Sequence, residues 1–355
     1  MRFMKLVLLS FIAALLCLTV APASTLITAA AAPAKLAAGK KQLVAFKYYS
    51  TTAKNVYLAG TFNKWSPTAI KMKKAKDSPW FTASVTLDRQ AEYKFVVDGV
   101  WSGDPFNLAT VGPDENALYN PAVNGTTNVN PKIKVFSSKH FDFFTMDGKD
   151  KTKELEESYS KLTALIPSWK LATVMPKIRY YAADYTNNLQ DSILNYPVPF
   201  ARYSTSEIYD LWNVSSTHEL VHLLVSVPNT FFNEGAAQAL QLEGNKTYRE
   251  QNVNLVAKAL FAASDEYDVN TLMTQFITTS EEYSLAGSFI YYHLYVMKKP
   301  DQLRAFLMSL KGGEQQSQLA IKYKKHVGKE LQATITAWKS WLEQITEQDD
   351  IYVKW

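Results

Sequence analysis

The most chemically specific stretch of this chain is His218-Glu219-Leu220-Val221-His222, two histidines four residues apart with a glutamate beside the first. On a helix, residues i and i+4 share one face, one turn above the other, so His218 and His222 can grip a single ion together. Glu219 leaves the same turn at an angle and can face a water on that ion instead of the ion itself. A catalytic zinc takes three protein ligands and keeps one position open. A carboxylate beside the open position can accept a proton from water and pass it to a leaving amine, which suits Glu219. The third ligand must come from elsewhere. Pro228, in Ser226-Val227-Pro228-Asn229, breaks the first helix, and Asn229 or Thr230 can cap a second. Glu234, in Asn233-Glu234-Gly235, then lies one turn into that second helix, close to the first. Zn held by His218, His222 and Glu234 is the expected cofactor. Gly235, Ala236 and Ala237 keep the packing face of the second helix thin.

An HExxH pattern alone is only a hypothesis. Here the whole stretch resembles the gluzincin metallopeptidases, in which a Glu on the next helix, often within Asn-Glu, follows the two His. The resemblance implies His218 and His222 as ligands, Glu219 as base, Glu234 as third ligand, and hydrolysis of a protein or peptide substrate. The chain departs in one respect: eleven residues, 223–233, separate His222 from Glu234, fewer than in the best-known members. The metzincin spacing is not met, because Val225 and Pro228 stand where it needs Gly and His. Downstream, residues 282–289 resemble a helix start in the same peptidase group. Tyr283 there could donate to the oxyanion formed during hydrolysis, and it also reads as an ordinary helix-entry tyrosine.

The elements that must position these residues follow from periodicity. Residues 133–145 read as a strand pair, 151–166 as a helix with Leu155, Tyr159, Leu162 and Leu165 on one stripe, and 177–183 as a strand. This lead-in also resembles gluzincin-type peptidases, whose edge strand pairs with the substrate backbone. Beyond Glu234, helical spacing marks 253–263, 270–278, 283–297, 302–309 and 330–345, with Pro300 ending one helix. His140 reads as a surface or strand residue, His293 as core-edge and His326 as surface.

Residues 40–124 carry a different pattern: short β-branched and aromatic runs at 42–49, 55–59, 80–87 and 91–97, with Asp98-Gly99 as a two-residue hairpin turn. This region resembles the family 48 carbohydrate-binding modules through 56–65 (VYLAGTFNKW), 93–101 (YKFVVDGVW), Asp104-Pro105, Gly112 and Asn116. The resemblance implies an immunoglobulin-like β-sandwich. It also implies that Trp65 and Trp101 stack on glucose rings, that Lys94 and Asn116 bond the hydroxyls, and that the glycan is an α-glucan. The physics agrees, since a sugar's apolar face packs on an aromatic plane while its hydroxyls need directed polar partners. The competing reading is a structural spacer with both Trp partly buried.

The expected architecture is thus multidomain α+β. A signal peptide spans 1–23, with basic Arg2 and Lys5, an apolar run and a small-residue cleavage site. A carbohydrate-binding β-sandwich spans 40–124, a polar linker 125–131, and a helix-rich, gluzincin-like zinc metallopeptidase domain with a small sheet 132–355. The one cysteine, Cys17, lies in the leader, so the mature chain is expected to hold together without disulfides. The formal net charge of +5 falls to +3 without Arg2 and Lys5, too mild for a nucleic-acid partner. The leader's apolar run is too short to favour stable membrane insertion. The expectation is a secreted peptidase anchored to glycan. The alternative is a non-catalytic glycan-binding protein whose metal site is structural or vestigial.

Overall fold

The computed structural model describes residues 40–107, 110–165, 167–169, 177–182, 199–210, 217–242, 251–263 and 267–346. The expected leader at 1–23 lies outside the described residues. The fold is mixed α+β, with β-sandwich-like sheets at the N-terminal end and a helical C-terminal region.

The sandwich has two layers. One sheet runs β1 (Gln42–Tyr49), β4 (Trp80–Leu87), β3 (Lys73–Lys74). The other runs β2 (Val56–Gly60), β5 (Ala91–Val97), β8 (Asn116–Tyr119), β7 (Thr110–Val111), with β6 (Val100–Ser102) also on β5. Alternate residues point inward, and Val44, Phe46, Val56, Leu58, Phe81, Tyr93, Phe95 and Tyr119 form the buried core between the layers. At the β5–β6 turn, Asp98 and Gly99 have φ of 48° and 90°. These are the left-handed values that a tight hairpin demands at both central positions.

The stretch 125–131, expected as a polar linker, follows the short helix α1 (Pro121–Asn124) and packs onto the sandwich. Thr127 bridges Ala45 in parallel. Asn128 is buried, accepts from Lys47 N at 2.7 Å and donates to Lys47 O at 2.9 Å. Its amide is spent on the backbone of β1 and on Asp104.

The second region holds a mixed sheet ordered β12 (Phe200–Arg202), β13 (Glu207–Asp210), β11 (Ile178–Ala182), β10 (Phe141–Thr145), β9 (Lys134–Ser137). Both of its faces are covered. Phe141, Phe143, Ile178, Tyr180 and Ile208 join the main helical core. On the other face, Phe144, Tyr181, Tyr209 and Phe200 stack strand to strand, with centroids 4.6, 4.9 and 4.5 Å apart. The sandwich sits on this ladder. Tyr49 meets Phe144 edge-on at 4.9 Å and Phe106 meets Tyr181 edge-on at 5.5 Å, the arrangement aromatic quadrupoles favour. At the same interface Arg179, paired within its own sheet to Glu207 at 2.9 Å, donates across to Tyr48 Oη at 3.4 Å.

The helices are α2 (Thr152–Leu165), α3 (Thr217–Leu224), α4 (Thr230–Leu240), α5 (Val253–Ala263), α6 (Val269–Leu272), α7 (Ser280–Tyr291), α8 (Pro300–Leu307), α9 (Gln316–Val327) and α10 (Leu331–Gln344). Four differ from expectation. The helix expected at 270–278 stops at Leu272, because the next residues bond to the start of α4: Asn229 and Thr230 donate to the carbonyls of Met273 and Gln275. α9 was not foreseen, since its buried stripe is only Leu319, Tyr323 and Val327 among Lys and Gln. Pro300 opens a helix at its first turn, where the missing N–H costs nothing, and does not end one. α7 runs on into a π-helical segment, Tyr292–Val296. His293 in that segment is fully buried, not at the core edge: its Nδ1 donates to Phe289 O at 2.8 Å and its Nε2 meets Tyr323 Oη at 2.5 Å.

Candidate metal centre and glycan face

α3 and α4 are fastened together at both ends. Asn229 caps α4 by accepting from Phe232 N, Asn233 Oδ1 accepts from Val227 N at 3.1 Å, and Thr217 Oγ1 accepts from Leu242 N at 2.8 Å. This clasp brings together the three residues the spacing singled out. Glu234 Oε2 lies 3.3 Å from His218 Nε2 and 3.4 Å from His222 Nε2. One donor atom from each of the three lies within 4.8 Å of the others. Around an ion at zinc's usual ligand distances, the edges of a tetrahedron are roughly 3.3–3.4 Å, so the donor set fits zinc.

The ring nitrogens facing away from this cluster are also engaged. His218 Nδ1 donates to Gln241 Oε1 at 3.0 Å, which turns Nε2 toward Glu234. Asn233 Nδ2 lies 2.9 Å from His222 Nδ1. A metal-bound His222 carries its proton on Nδ1, and Asn233 would accept it with its amide turned end for end, giving up Val227.

Electrostatics follow the geometry. For His218, burial opposes charge, but hydrogen bonding to Glu234 and the charges of Glu219 and Glu234 push its pKa up to about 9. Burial would raise Glu234, yet hydrogen bonds from both histidines hold it well below the usual carboxylate range. Glu219 is buried and stands outside the ligand cluster. Burial raises its pKa, while both histidines pull the other way. Tyr283 projects from the first turns of α7 beside this group. Burial, then the charges of Glu234 and Glu219, push its hydroxyl up to about 12.

α7 can come so close because of Gly235: a Cβ there would lie 2.7 Å from Ala286 O. Sequence reading passed over three residues at the site. Gln241 is brought in by the far end of α4. Asp210, at the end of β13, adds its charge to the surroundings of Glu219, and Tyr180 donates a hydrogen bond to it.

The glycan face lies on the sandwich. Trp65 and Trp101 are neighbours, with centroids 6.2 Å apart and planes inclined at 56°. Trp101 is 46% exposed, and Trp65 is half-buried with φ of 60° just after the turn. Trp101 pairs with Val96 on β5. Tyr93 pairs with Ala117, so the next step in register sets Lys94 opposite Asn116. Side chains alternate between faces, which puts Lys94, Trp101 and Asn116 on one face, opposite the core residues Tyr93 and Phe95. Lys94 Nζ donates to Asp114 O, and Asn116 Nδ2 donates to Glu92 Oε2 at 3.0 Å.

Among the described residues, no helix is long and apolar enough to cross a membrane. The family description "Carbohydrate-binding module 48 (Isoamylase N-terminal domain)" matches residues 33–116. No curated protein matches the chain. Among solved structures, the glycoside hydrolase family 15 glucoamylase from Hypocrea jecorina is similar at 23% identity, over 24% of this chain and 15% of that enzyme, with a TM-score of 0.18. The chain thus spans under a sixth of that enzyme's length; the family match alone identifies residues 33–116 of this chain as a carbohydrate-binding module.

Proposed function

We propose that this chain is an exported zinc-dependent peptidase held on glycan by its N-terminal module. One observation carries the hydrolytic part: a half-buried carboxylate oxygen 3.3 and 3.4 Å from two imidazole nitrogens of an HExxH helix, with a buried glutamate beside them and outside the ligand set. Zinc, when bound, would polarise the scissile carbonyl and make water acidic enough to lose a proton near neutrality. Glu219, desolvated and flanked by two histidines, accepts that proton and returns it to the leaving amine. Tyr283 donates from its hydroxyl toward the oxyanion. An extended peptide lies along β12, the sheet edge packed near α3. The glycan part rests on the module match at 33–116 and on the paired Trp65 and Trp101. Two rings inclined at 56° suit a curved α-linked glucan better than a flat β-linked one.

The second reading, a glycan-binding protein without hydrolytic activity, is favoured by the comparisons, which support the module and leave hydrolysis to the geometry. One experiment separates the two: bound zinc and casein cleavage are measured for the mature protein and for Glu219→Gln. The peptidase reading expects one zinc per chain in both proteins, with cleavage reduced about 1,000-fold in the variant, on the order of the loss of a catalytic base. Zinc without cleavage in the natural protein overturns it in favour of the second reading.

A further inference from the structure

Lys94 has a second neighbourhood besides the tryptophans. It lines a polar cleft of about 360 Å³, open to solvent, together with Gly103, Asp104, Asp114, Glu115 and, from the second region, Arg202. Much of that space is open solvent: the enclosed part is about 80 Å³, well under the roughly 300–1,000 Å³ of sites that swallow a whole ligand, so a sugar would rest against this cleft and not sink into it. We propose that this cleft continues the glycan site, so that Arg202 of β12 and the module grip the same α-glucan chain. The inference rests on the glycan reading above and adds a contact from outside the module.

Three observations carry it. First, the cleft is contiguous with the aromatic pair. Lys94 lies two residues along β5 from Val96, the partner of Trp101, roughly 7 Å away at the rise of a strand. Gly103 follows Trp101 by two residues. A glycan lying on Trp101 therefore enters the cleft within its next sugar or two.

Second, the lining suits a neutral polyol. Lys94 and Arg202 face Asp114, Glu115 and, on the floor, Asp104, so both signs of charge are present with at most one carboxylate in excess. A vicinal pair of hydroxyls both donates and accepts, so it needs cationic donors and carboxylate acceptors side by side, whereas a phosphate or a polycation would need one sign alone. The floor makes no demand of its own, because Asp104 accepts from Tyr93 Oη, Asn128 Nδ2 and Phe106 N.

Third, Arg202 is held ready and unspent. Its guanidinium lies 5.6 and 5.4 Å from the ring centroids of Phe200 and Tyr209, at the end of the aromatic ladder. Among the described residues, no hydrogen bond or ion pair engages it. A cationic head fixed over aromatic faces with its donors open loses little freedom on meeting a ligand.

The test is calorimetric titration of the full chain with maltotriose and maltoheptaose, with cellohexaose as the flat, β-linked control. Arg202→Ala and Glu115→Gln alter the two walls, and Trp101→Ala alters the aromatic seat. The inference expects both wall variants to bind maltotriose within twofold of the natural protein and maltoheptaose about 5–10-fold more weakly, a loss of about 1–1.4 kcal/mol. Trp101→Ala weakens both ligands. Equal affinity of natural protein and wall variants for both lengths overturns the shared grip and leaves the module's own site standing. Failure of the natural protein to bind either maltooligosaccharide overturns the α-glucan reading itself. Unchanged thermal midpoints in the wall variants show that a loss comes from the cleft and not from the fold.

Discussion

The two candidate sites solve opposite problems. At the metal centre the chain buries Glu219 and half-buries His218, His222 and Glu234, and makes them tolerable by pairing them with one another. On the glycan face it leaves two large aromatic rings in or near water, and no buried charge lies beneath them except Asp104 on the floor of the adjoining cleft. Buried charge is costly unless it is paired, so a cluster of this kind persists where fixed geometry is required. Exposed aromatic rings cost little and wait for a ligand to cover them. The first site should therefore be sensitive to anything that disturbs packing or protonation, and the second only to loss of the rings themselves.

The largest expected effect on this contrast comes from pH. His293, on the π-helical continuation of α7, is held neutral: burial pulls its pKa down to about 4, and Lys329 adds to this against the bond to Phe289 O. The ordinary value is 6.5. Between those two values the unfolded chain binds more protons than the folded one. Stability from this group is thus complete above pH 6.5 and is lost as pH falls toward 4, by about 3 kcal/mol in all. Urea denaturation at pH 7, 5.5 and 4 checks it. His293→Gln should remove most of this slope whatever it does to stability at pH 7, and an unchanged slope would sink the assignment.

Next in size is Gly235→Ala. The new methyl meets backbone at Ala286, which cannot turn aside, so we expect a loss of about 1–3 kcal/mol and weaker zinc binding, with glycan affinity unchanged. Denaturant midpoints, zinc competition and maltoheptaose titration read the three quantities. Equal damage to both sites would mean that they are not independent.

The smallest effect on the fold, and the sharpest on the other side, is Trp101→Ala. It should weaken maltoheptaose about 10-fold, on the order of 1.4 kcal/mol, with stability within about 0.5 kcal/mol as for exposed sites generally. A large fall in melting temperature would instead favour the structural-spacer reading of the two tryptophans.

How much of this was legible in the sequence depended on distance along the chain. The juxtaposition of His218 with His222 follows from one helical turn, and that of Glu234 from a short Pro-containing break with a capping Asn. Lys94 and Asn116 came from the family pattern, and strand register then set them on one face. Gln241, Asp210 and Arg202 carried no local signal, because tertiary packing alone brings them in. The helix expected at 270–278 failed for the same reason: two side chains at the start of α4 compete for its carbonyls. The docking of the sandwich was hidden most deeply. Phe141-Asp142-Phe143-Phe144-Thr145 is buried throughout, which tells of two covered faces but not of what covers them.

The ladder of rings from Phe144 to Phe200 makes the joint between the two regions stiff. A catalytic unit on a floppy tether sweeps a sphere and meets whatever drifts through it. With the sandwich seated on the back of the same sheet whose front carries α3, the reach from a gripped polysaccharide strand is a fixed length and heading. On the peptidase reading proposed above, only proteins standing at that height above the strand would be cut, so selectivity would come from where a target protrudes as much as from its amino-acid sequence.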